Sequence, residues 1–253
     1  MPIKIENYIK EFVQDHQNRE GIRTRWEEPL VTYASAGDPL FNKLKEVVSP
    51  THALPQDLLP DAKTVITYFL PFARQIPLSN KKGRMSSSEW AIAYIETNKL
   101  ITQLNDYIHK KLGEIKYQSV ILPPTHNFDT QLLISDWSHK HVGFISGLGK
   151  FGLHQMLITE KGCCGRLGSI ITNLEIEPTK RAENEYCLYK HNGTCQKCVE
   201  KCAQGALSVI GFDRHKCYEL LLDNADIYAN EGLADVCGKC VSIVPCSFTN
   251  PVK

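Results

Sequence analysis

The sequence of 253 residues lacks long apolar runs and any marked excess of charge. No stretch approaches the ~20 apolar residues that are needed to cross a bilayer. The first 21 residues mix charged and apolar side chains and lack the continuous apolar region of a secretory signal. A formal net charge of +1 gives no general attraction to nucleic acid or to anionic membranes. We therefore expect a cytoplasmic protein that does not act at a membrane.

Cysteine is absent from residues 1–162, and all ten cysteines follow that stretch. Structural disulfides are rare in the reducing cytoplasm, so that metal binding is the first explanation for so many thiols. Cys163 and Cys164 stand together, and burial as small apolar side chains is the commoner role of free cysteine. The change of composition near the charged segment 178–185 predicts two domains, residues 1–182 and residues 183–253.

Helical and strand-like patterns alternate in residues 1–182. We predict helices over residues 3–17, 86–112 and 130–139, and strands over residues 64–70, 118–122, 155–159 and 167–173. Strands that alternate with helices predict an α/β layer architecture for the first domain.

Eight cysteines near the end of the chain form the strongest motif. They are Cys187, Cys195, Cys198, Cys202, Cys217, Cys237, Cys240 and Cys246. Two [4Fe–4S] clusters need two sets of four thiolates, and in two-cluster ferredoxins the last cysteine of each run binds the other cluster. We therefore predict an α+β module like the bacterial ferredoxins. One cluster would lie on Cys187, Cys195, Cys198 and Cys246, and the second on Cys202, Cys217, Cys237 and Cys240.

Two zinc ions with four cysteines each are the alternative. The run Cys195-x2-Cys198-x3-Cys202 favours clusters, because zinc ribbons usually pair two separate C-x2-C knuckles. The run also departs from the pattern C-x2-C-x2-C-x3-C-P of bacterial ferredoxins. Seven residues separate Cys187 from Cys195, and Ala203 stands in place of the proline.

Gly147, Gly149 and Gly152 match the G-x-G-x-x-G pattern of dinucleotide-binding loops. In a Rossmann fold this loop follows a strand and opens a helix, whereas here a predicted helix precedes it and a predicted strand follows. We therefore expect a loop whose bare backbone allows the close approach of some other large ligand. Three histidines flank the loop: His139, His141 and His154. Hydrogen bonding is a commoner role for such histidines than contact with a metal or a phosphate.

Four segments precede the eight cysteines in a distinctive order: residues 59–66, Asp129–Leu133, Ser146–Gly152 and Arg166–Thr172. In this order the segments and the cysteines resemble the epoxyqueuosine reductases. The resemblance extends from about residue 55 onward. That family shares a cobalamin-binding core and a two-cluster ferredoxin domain with the respiratory reductive dehalogenases.

The resemblance implies a nitroreductase-like α/β core that holds base-off cobalamin, with electrons delivered through the two clusters. Asp129 matches the family's candidate acid, and an N-cap for the following helix is its alternative role. The matching segments imply cofactor contacts at Gly147, Leu148, Gly149, Gly152, Gly168 and Ser169. Flavin is the alternative cofactor, and a small protein such as ferredoxin or flavodoxin is the implied reductant.

The chain departs from the family at several positions. Gln131 and the run 132–136 replace an expected Pro and Glu, and Leu153 stands where a lysine is expected. The chain ends seven residues after Cys246, without the helical-repeat domain that helps the family to grip tRNA. We therefore expect a short branch of the family, for which tRNA is a doubtful substrate. An electron-transfer or corrinoid-handling protein without substrate chemistry of its own is the alternative to a reductase.

Overall fold

The computed structural model of the protein describes residues 4–252. Its helices are α1 Ile5–Gln17, α2 Leu40–Val47, α3 Pro55–Leu58, α4 Gln75–Ser79, α5 Ser88–Glu114, α6 His139–Ile145, α7 Leu188–Asn192, α8 Lys197–Glu200 and α9 Arg214–Ile227. Its strands are β1 Leu30–Ser35, β2 Thr64–Pro71, β3 Ser119–Ile121, β4 His126–Asp129, β5 Ile134–Trp137, β6 Gly149–Phe151, β7 Leu157–Thr159 and β8 Gly165–Thr172. The predicted mixture of helices and strands is confirmed.

A four-stranded antiparallel sheet in the order β1-β2-β8-β3 forms the centre of the fold. Its middle pair joins two strands that are far apart in the sequence, with Thr64 opposite Thr172 and Pro71 opposite Gly165. Every residue of β2 is buried, as expected for an apolar strand that is covered on both faces. Because successive side chains of a strand point to opposite faces, the sheet separates two apolar cores.

Helices α1 and α5 cover one face of the sheet. Ile66, Tyr68 and Leu70 of β2 pack there with buried residues of both helices. Helix α5 begins at Ser88 because the side chain of Ser87 accepts the backbone N–H of Trp90 at 3.2 Å. Although α5 has 27 residues, no helix within residues 4–252 combines the length and the hydropathy of a transmembrane span.

Helices α2 and α6 cover the opposite face. Val65 of β2 and Ile171 of β8 pack there against Phe41, Trp137 and Val142. This second layer places α6 against β2 and β8, where Nδ1 of His139 lies 2.9 Å from Oγ of Ser169.

The cysteine-rich segment packs against the first core and shares its buried residues. Cys187, Cys198 and Cys246 belong to the same group of packed side chains as Trp90 of α5. Gly238 has a φ of +71°, and a Cβ at this position would lie 2.1 Å from the Trp90 ring. The two parts of the chain are therefore in close contact, and the division at residues 182 and 183 stays a prediction.

The predicted elements agree with the structure except at one place. The predicted strands correspond to β2, β3, β7 and β8, and two predicted helices correspond to α1 and α5, although Ile3 lies outside the described residues. The helix predicted over residues 130–139 is wrong, because β4 and β5 form a hairpin with His126 opposite Trp137. Leu133 has a φ of +53° in the turn, a left-handed conformation that interrupts a helix.

Candidate redox site

The thiols of Cys187, Cys195, Cys198 and Cys246 form the first cysteine group. Cys198 lies on α8, Cys187 immediately precedes α7, and Cys246 comes from the segment after α9. Burial and the charges of Cys246, Cys187 and Cys195 raise the pKa of Cys198 to about 12. Thiols that keep their protons in one another's presence can still release them to a bound cation, because metal ligation requires the thiolate.

The second cysteine group comprises Cys202, Cys217, Cys237 and Cys240. Burial and the charges of Cys237, Cys217 and Cys202 raise the pKa of Cys240 well above its usual range. Burial, Cys237 and Cys202 likewise raise the pKa of Cys217 to about 11. All four side chains are half-buried, whereas three of the first group are buried. The side chains of the second group are thus more exposed on the whole than those of the first. The assignment of the eight cysteines to two clusters stays a prediction.

The spacing of these sulfurs is wider than that of a zinc site. Four thiolates at ~2.3 Å from one Zn²⁺ lie about 3.8 Å apart in a tetrahedron. Within residues 4–252, only His154, Cys163 and Cys246 form a group of three candidate ligand atoms that all lie within 4.8 Å of one another. Among the described residues, no three sulfurs of either cysteine group lie within 4.8 Å of one another, as the ligands of a formed zinc site would.

Two further side chains contact the sulfur of Cys246. Nε2 of His154 lies 3.3 Å from this Sγ, and the Sγ of Cys163 lies 4.0 Å from it. Hydrogen bonds from Cys163 and His154 lower the pKa of Cys246 to about 5. Hydrogen bonds with Cys164 and Cys246, together with burial, raise the pKa of Cys163 well above its usual range. His154 and Cys163 thus both direct a hydrogen-bond donor to the sulfur of Cys246.

The backbone also joins this part of the first domain to the end of the chain. The N–H of Cys163 donates to the carbonyl of Cys246 at 3.0 Å, and that of Cys164 donates to the carbonyl of Ser247 at 3.3 Å. Gly162 has a φ of +82°, and a Cβ there would lie 2.3 Å from the carbonyl oxygen of Ser247. A glycine is thus required where the two segments meet.

A cavity of about 810 Å³ opens beside this contact. Its volume lies toward the upper end of the range for small-molecule sites. Cys163 lines the cavity, and its sulfur is in contact with that of Cys246. Seven aromatic side chains also line it: Phe69, Tyr94, Phe128, Trp137, Phe144, Phe151 and Phe212. Such a wall suits a large, partly apolar ring system.

The charged side chains in the cavity wall all carry positive charge. They are Lys43, Lys140, Arg166, Lys190 and Arg214, and among the described residues no carboxylate lines the wall. Burial and the charge of Arg214 lower the pKa of Lys140. The guanidinium of Arg166 lies 4.2 Å from the centroid of the Tyr94 ring and donates to Asn98 at 2.8 Å. This lining favours an anionic ligand.

A buried hydrogen-bond chain containing Ser169 supports the cavity wall from behind. Nε1 of Trp137 donates to Oγ of Ser169 at 2.9 Å, and this oxygen lies 2.9 Å from Nδ1 of His139. Nε2 of His139 donates to the carbonyl of Pro123 at 2.9 Å, so that Nδ1 accepts from Ser169. Burial lowers the pKa of His139 to about 4, which leaves the imidazole neutral at pH 7.

The residues that were predicted to contact a cofactor lie outside the cavity wall. They are Gly147, Leu148, Gly149, Gly152, Gly168 and Ser169, none of which is among the described residues that line the cavity. Gly149 lies in β6, where a Cβ would come within 2.0 Å of the carbonyl oxygen of Ile158. Gly168 lies opposite Tyr68 in the sheet. The glycine loop follows α6 and opens the β6–β7 hairpin, as expected for a loop outside a Rossmann fold. Its direct contact with a cofactor stays a prediction.

Asp129 lies at the exposed tip of the β4–β5 hairpin. Its Oδ1 accepts the backbone N–H groups of Gln131 and Leu132, both at 2.8 Å. The carboxylate therefore closes a hairpin turn and does not cap a helix, because no helix begins here. Phe128 and Leu133 on either side of the turn line the cavity, whereas Asp129 does not. The hairpin thus carries Asp129 at the rim.

Sequence reasoning missed the cationic lining and the role of Cys163. The lining residues come from separate elements, and no spacing in the sequence links them. Cys163 was predicted to be buried, which it is, but its contact with Cys246 depends on the pairing of two distant segments. His154 was noticed only because it follows Gly152.

The similarity of the chain to known proteins extends to sequence identity with curated enzymes. No protein-family model matches the chain. A curated epoxyqueuosine reductase of Bacillus cereus is 31% identical over 176 residues, which cover 66% of this chain and 42% of the relative. The resemblance to the epoxyqueuosine reductases is confirmed. The chain spans less than half the length of the curated epoxyqueuosine reductases that it matches.

Solved structures share the fold. Epoxyqueuosine reductase from Bacillus subtilis, captured with its catalytic aspartate loop swung out of the active site, is 17% identical with a TM-score of 0.55, over 96% of this chain and 66% of that one. An epoxyqueuosine reductase with an epoxyqueuosine-modified tRNA stem loop is 19% identical with a TM-score of 0.54, over 96% of this chain and 66% of that one. A catabolic reductive dehalogenase is 15% identical with a TM-score of 0.58, over 88% of this chain and 30% of that one. At these identities the likeness is one of fold.

Proposed function

We propose that this protein is a reductase in which two [4Fe–4S] clusters pass electrons to a cofactor in the adjacent cavity. The observation that carries the proposal is the contact between Cys163, which lines the cavity, and Cys246, a predicted cluster ligand. Their sulfurs lie 4.0 Å apart. The confirmed resemblance to the epoxyqueuosine reductases supports the proposal.

The burial of the two cysteine groups supports a direction for the electrons. The half-buried second group would hold an outer cluster, which a partner protein can approach. The first group would hold an inner cluster beside the cavity. The two groups adjoin, since the charge of Cys198 acts on the pKa of Cys240. Residues 183–253 would then form the electron-transfer module of the protein.

Cobalamin is the proposed occupant of the cavity, with flavin as the alternative. When bound, a corrinoid would supply the metal centre that delivers electrons to the substrate. The aromatic side chains would hold a flat ring by stacking and apolar contact. The five cations would balance anionic groups of the cofactor or substrate, and Cys163 would form the part of the wall that faces the inner cluster.

Asp129 is the proposed proton donor. Breaking its two turn hydrogen bonds would free the carboxyl group to rotate from the rim toward the cavity. A loop swung out of the active site in the Bacillus subtilis enzyme supports such movement. An Asp129→Asn variant that bound its clusters and cofactor and kept full reductase activity would remove this role.

A small acidic protein such as ferredoxin or flavodoxin is the proposed reductant. A surface depression beside Cys202 is lined by Lys81, Arg84, Lys201 and Lys239, with Glu200 as the only carboxylate among its described residues. A positive surface over the outer cluster would attract a negatively charged electron donor.

The substrate is proposed to be anionic, because only cations supply charge to the cavity wall. A neighbour of similar fold was solved with an epoxyqueuosine-modified tRNA stem loop. A modified tRNA stem loop therefore belongs among the substrates to be tried.

Cofactor analysis after anaerobic reconstitution tests the proposal. Two cubane clusters correspond to about eight irons per chain, and fewer than about four would contradict them. Cys195→Ala and Cys202→Ala, one from each cysteine group, should each lose about half of the iron. With cobalamin added, corrin absorption bands that change on reduction would support the proposed cofactor, whereas flavin bands would support the alternative.

An electron-transfer or corrinoid-handling role is the second candidate. It is favoured by the position of Asp129, whose carboxylate is bound in an exposed turn outside the cavity. In that case the clusters and cofactor would be reduced by the donor protein, but no electrophilic substrate would be turned over. Single-turnover reduction in the presence and absence of candidate substrates separates the two functions.

A further inference from the structure

A backbone hydrogen bond fixes the orientation of the His154 ring on the side that faces away from Cys246. Nδ1 accepts the backbone N–H of Met156 at 3.1 Å, so that the proton of the neutral imidazole lies on Nε2. This nitrogen lies 3.3 Å from the sulfur of Cys246. His154 is buried and therefore donates one defined hydrogen bond, to Cys246.

Gly152 provides the space that this ring occupies. A Cβ at Gly152 would lie 2.6 Å from Cε1 and 2.8 Å from Nε2 of His154. The N–H of Gly152 donates to the carbonyl of Met156 at 2.9 Å and closes the turn that contains His154. The third glycine of the loop thus places an imidazole against Cys246, a role that explains this glycine without a nucleotide.

Cys163 supplies a second donor to the same sulfur. Its backbone bond to Cys246 keeps the two Sγ atoms 4.0 Å apart, and both side chains are buried. A buried thiol retains its proton, and S–H is a weak hydrogen-bond donor. The neighbouring Cys164 instead directs its Sγ to the carbonyl of Val241 at 3.2 Å. Of the two adjacent cysteines, only Cys163 therefore contacts the sulfur of Cys246.

We propose that His154 and Cys163 donate two hydrogen bonds to the sulfur of Cys246 and thereby raise the reduction potential of the inner cluster. This inference rests on the proposed function, since it takes Cys246 as a cluster ligand. In the step concerned, the cluster gains one electron from an external reductant and no proton is transferred. The reduced cluster carries the additional negative charge, so that donors to its sulfur ligand stabilise it more than the oxidised cluster. His154 and Cys163 are positioning residues, which act through Cys246.

A redox titration of the reconstituted full chain tests this role. Dithionite is the reductant, and electron paramagnetic resonance follows each cluster. His154→Phe keeps a flat ring beside Gly152 and removes the donor, and Cys163→Ala removes the second donor. Each variant is expected to lower the equilibrium constant for reduction of the inner cluster by up to tenfold. For a one-electron couple this corresponds to a decrease in the reduction potential of about 59 mV.

Two matched variants serve as controls. Cys163→Ser keeps a donor and should retain most of the wild-type potential. Cys164→Ala removes an adjacent buried thiol that contacts Cys163 but not Cys246, and it should change the potential less than Cys163→Ala does. The outer cluster is an internal reference, and Cys246→Ser identifies which signal belongs to the inner cluster.

The outcomes separate this inference from the proposed function. If both clusters are present and their potentials are unchanged in His154→Phe and Cys163→Ala, the inference is wrong and the proposed function stands. If the histidine variant fails to hold the inner cluster, equal potentials in Cys163→Ala and Cys163→Ser would still contradict the inference. Fewer than about four irons in the wild-type protein would overturn the proposed function itself.

Discussion

Ser169 and Thr67 face each other across the central strands, and only one of the two hydroxyl groups has a partner. Oγ of Ser169 accepts from Trp137 and bonds to His139. Oγ1 of Thr67 is equally buried but has no hydrogen-bond partner within residues 4–252. Substitutions at these two residues therefore distinguish the effect on stability of burying a hydroxyl group from the effect of the hydrogen bonds that it makes.

Ser169→Ala is expected to lower the free energy of unfolding by ~1–3 kcal/mol, because it leaves the buried indole N–H of Trp137 without an acceptor. Thr67→Val should be neutral or stabilising, since it removes a buried polar atom that has no partner. Thermal unfolding of both variants and the wild type, followed by circular dichroism, measures the difference. Equal losses of stability in the two variants would show that the hydrogen bonds of Ser169 do not stabilise the fold.

His139 is expected to make the folded protein sensitive to acid. Its pKa in the folded state is about 4, against an ordinary value of 6.5, so that below pH 6.5 the unfolded chain binds a proton that the folded chain does not. The stability associated with a neutral His139 is therefore fully present above pH 6.5, and the free energy of unfolding falls as the pH drops toward 4. Between pH 7 and pH 5 the expected loss is about 2 kcal/mol.

Melting curves at several pH values between 7 and 5 measure this loss. His139→Gln keeps a side-chain donor for the carbonyl of Pro123 but cannot titrate. This variant should show a shallower pH dependence than the wild type. The same slope in both proteins would assign the acid sensitivity to other groups, such as the buried His52, whose pKa burial also lowers.

Among the elements, strand β2 and the β4–β5 hairpin mark what the sequence could and could not predict. The run from Thr64 to Pro71 is buried throughout, and its β-branched and apolar composition identifies it without knowledge of its neighbours. Strands β4 and β5 have four residues each, too few for a clear alternation. The apolar residues Leu132, Leu133 and Trp137 therefore resembled a helical stripe. Their conformation depends on the pairing across the turn.

The same reasoning explains which parts of the candidate site were predictable. The cysteine groups stand out in the sequence because they are of one residue type and most stand close together, and their role as cluster ligands stays a prediction. The cavity could not be predicted, because Lys43, Arg166 and Arg214 reach it from α2, β8 and α9. Only the packing of these elements reveals that their charges share one wall.

The turn before β8 joins the two parts of the chain through Gly162. Gly162→Ala is expected to push this turn away from Ser247, because the new Cβ would lie 2.3 Å from a carbonyl oxygen and the φ of +82° disfavours any other residue. The backbone bonds of Cys163 and Cys164 to the end of the chain would weaken. We expect a loss of stability of at least ~1 kcal/mol and a lower iron content.

Gly113→Ala is the matched control for this substitution. Gly113 lies in α5, and a Cβ at this position would have no atom within 4 Å, so that alanine should stabilise the helix by roughly 0.5–1 kcal/mol. Iron analysis and melting temperature together decide the question. A Gly162→Ala protein that holds its full complement of iron at the wild-type melting temperature would contradict the proposed junction.

On the scale of the whole molecule, the net charge of +1 conceals an uneven distribution. Cations gather in the cavity wall and again in the depression beside Cys202. These two places would lie at the opposite ends of the proposed electron path, next to the inner and the outer cluster. A small total charge therefore does not exclude strong local attraction at either end.

Charge reversal at the depression tests the entry point for electrons. The double variant Lys81→Glu/Arg84→Glu is expected to slow cluster reduction by a reduced ferredoxin roughly tenfold at low ionic strength, because attraction over the outer cluster is replaced by repulsion. Added salt should slow the wild type and narrow the difference, since screening weakens both effects. Stopped-flow absorbance measures the rates. Reduction by excess dithionite should go to completion in every protein and shows that the clusters are intact. The double variant Lys99→Glu/Lys110→Glu, at two exposed positions on α5, controls for the equal change in net charge. Equal rates with ferredoxin in all three proteins would place the entry of electrons elsewhere on the surface.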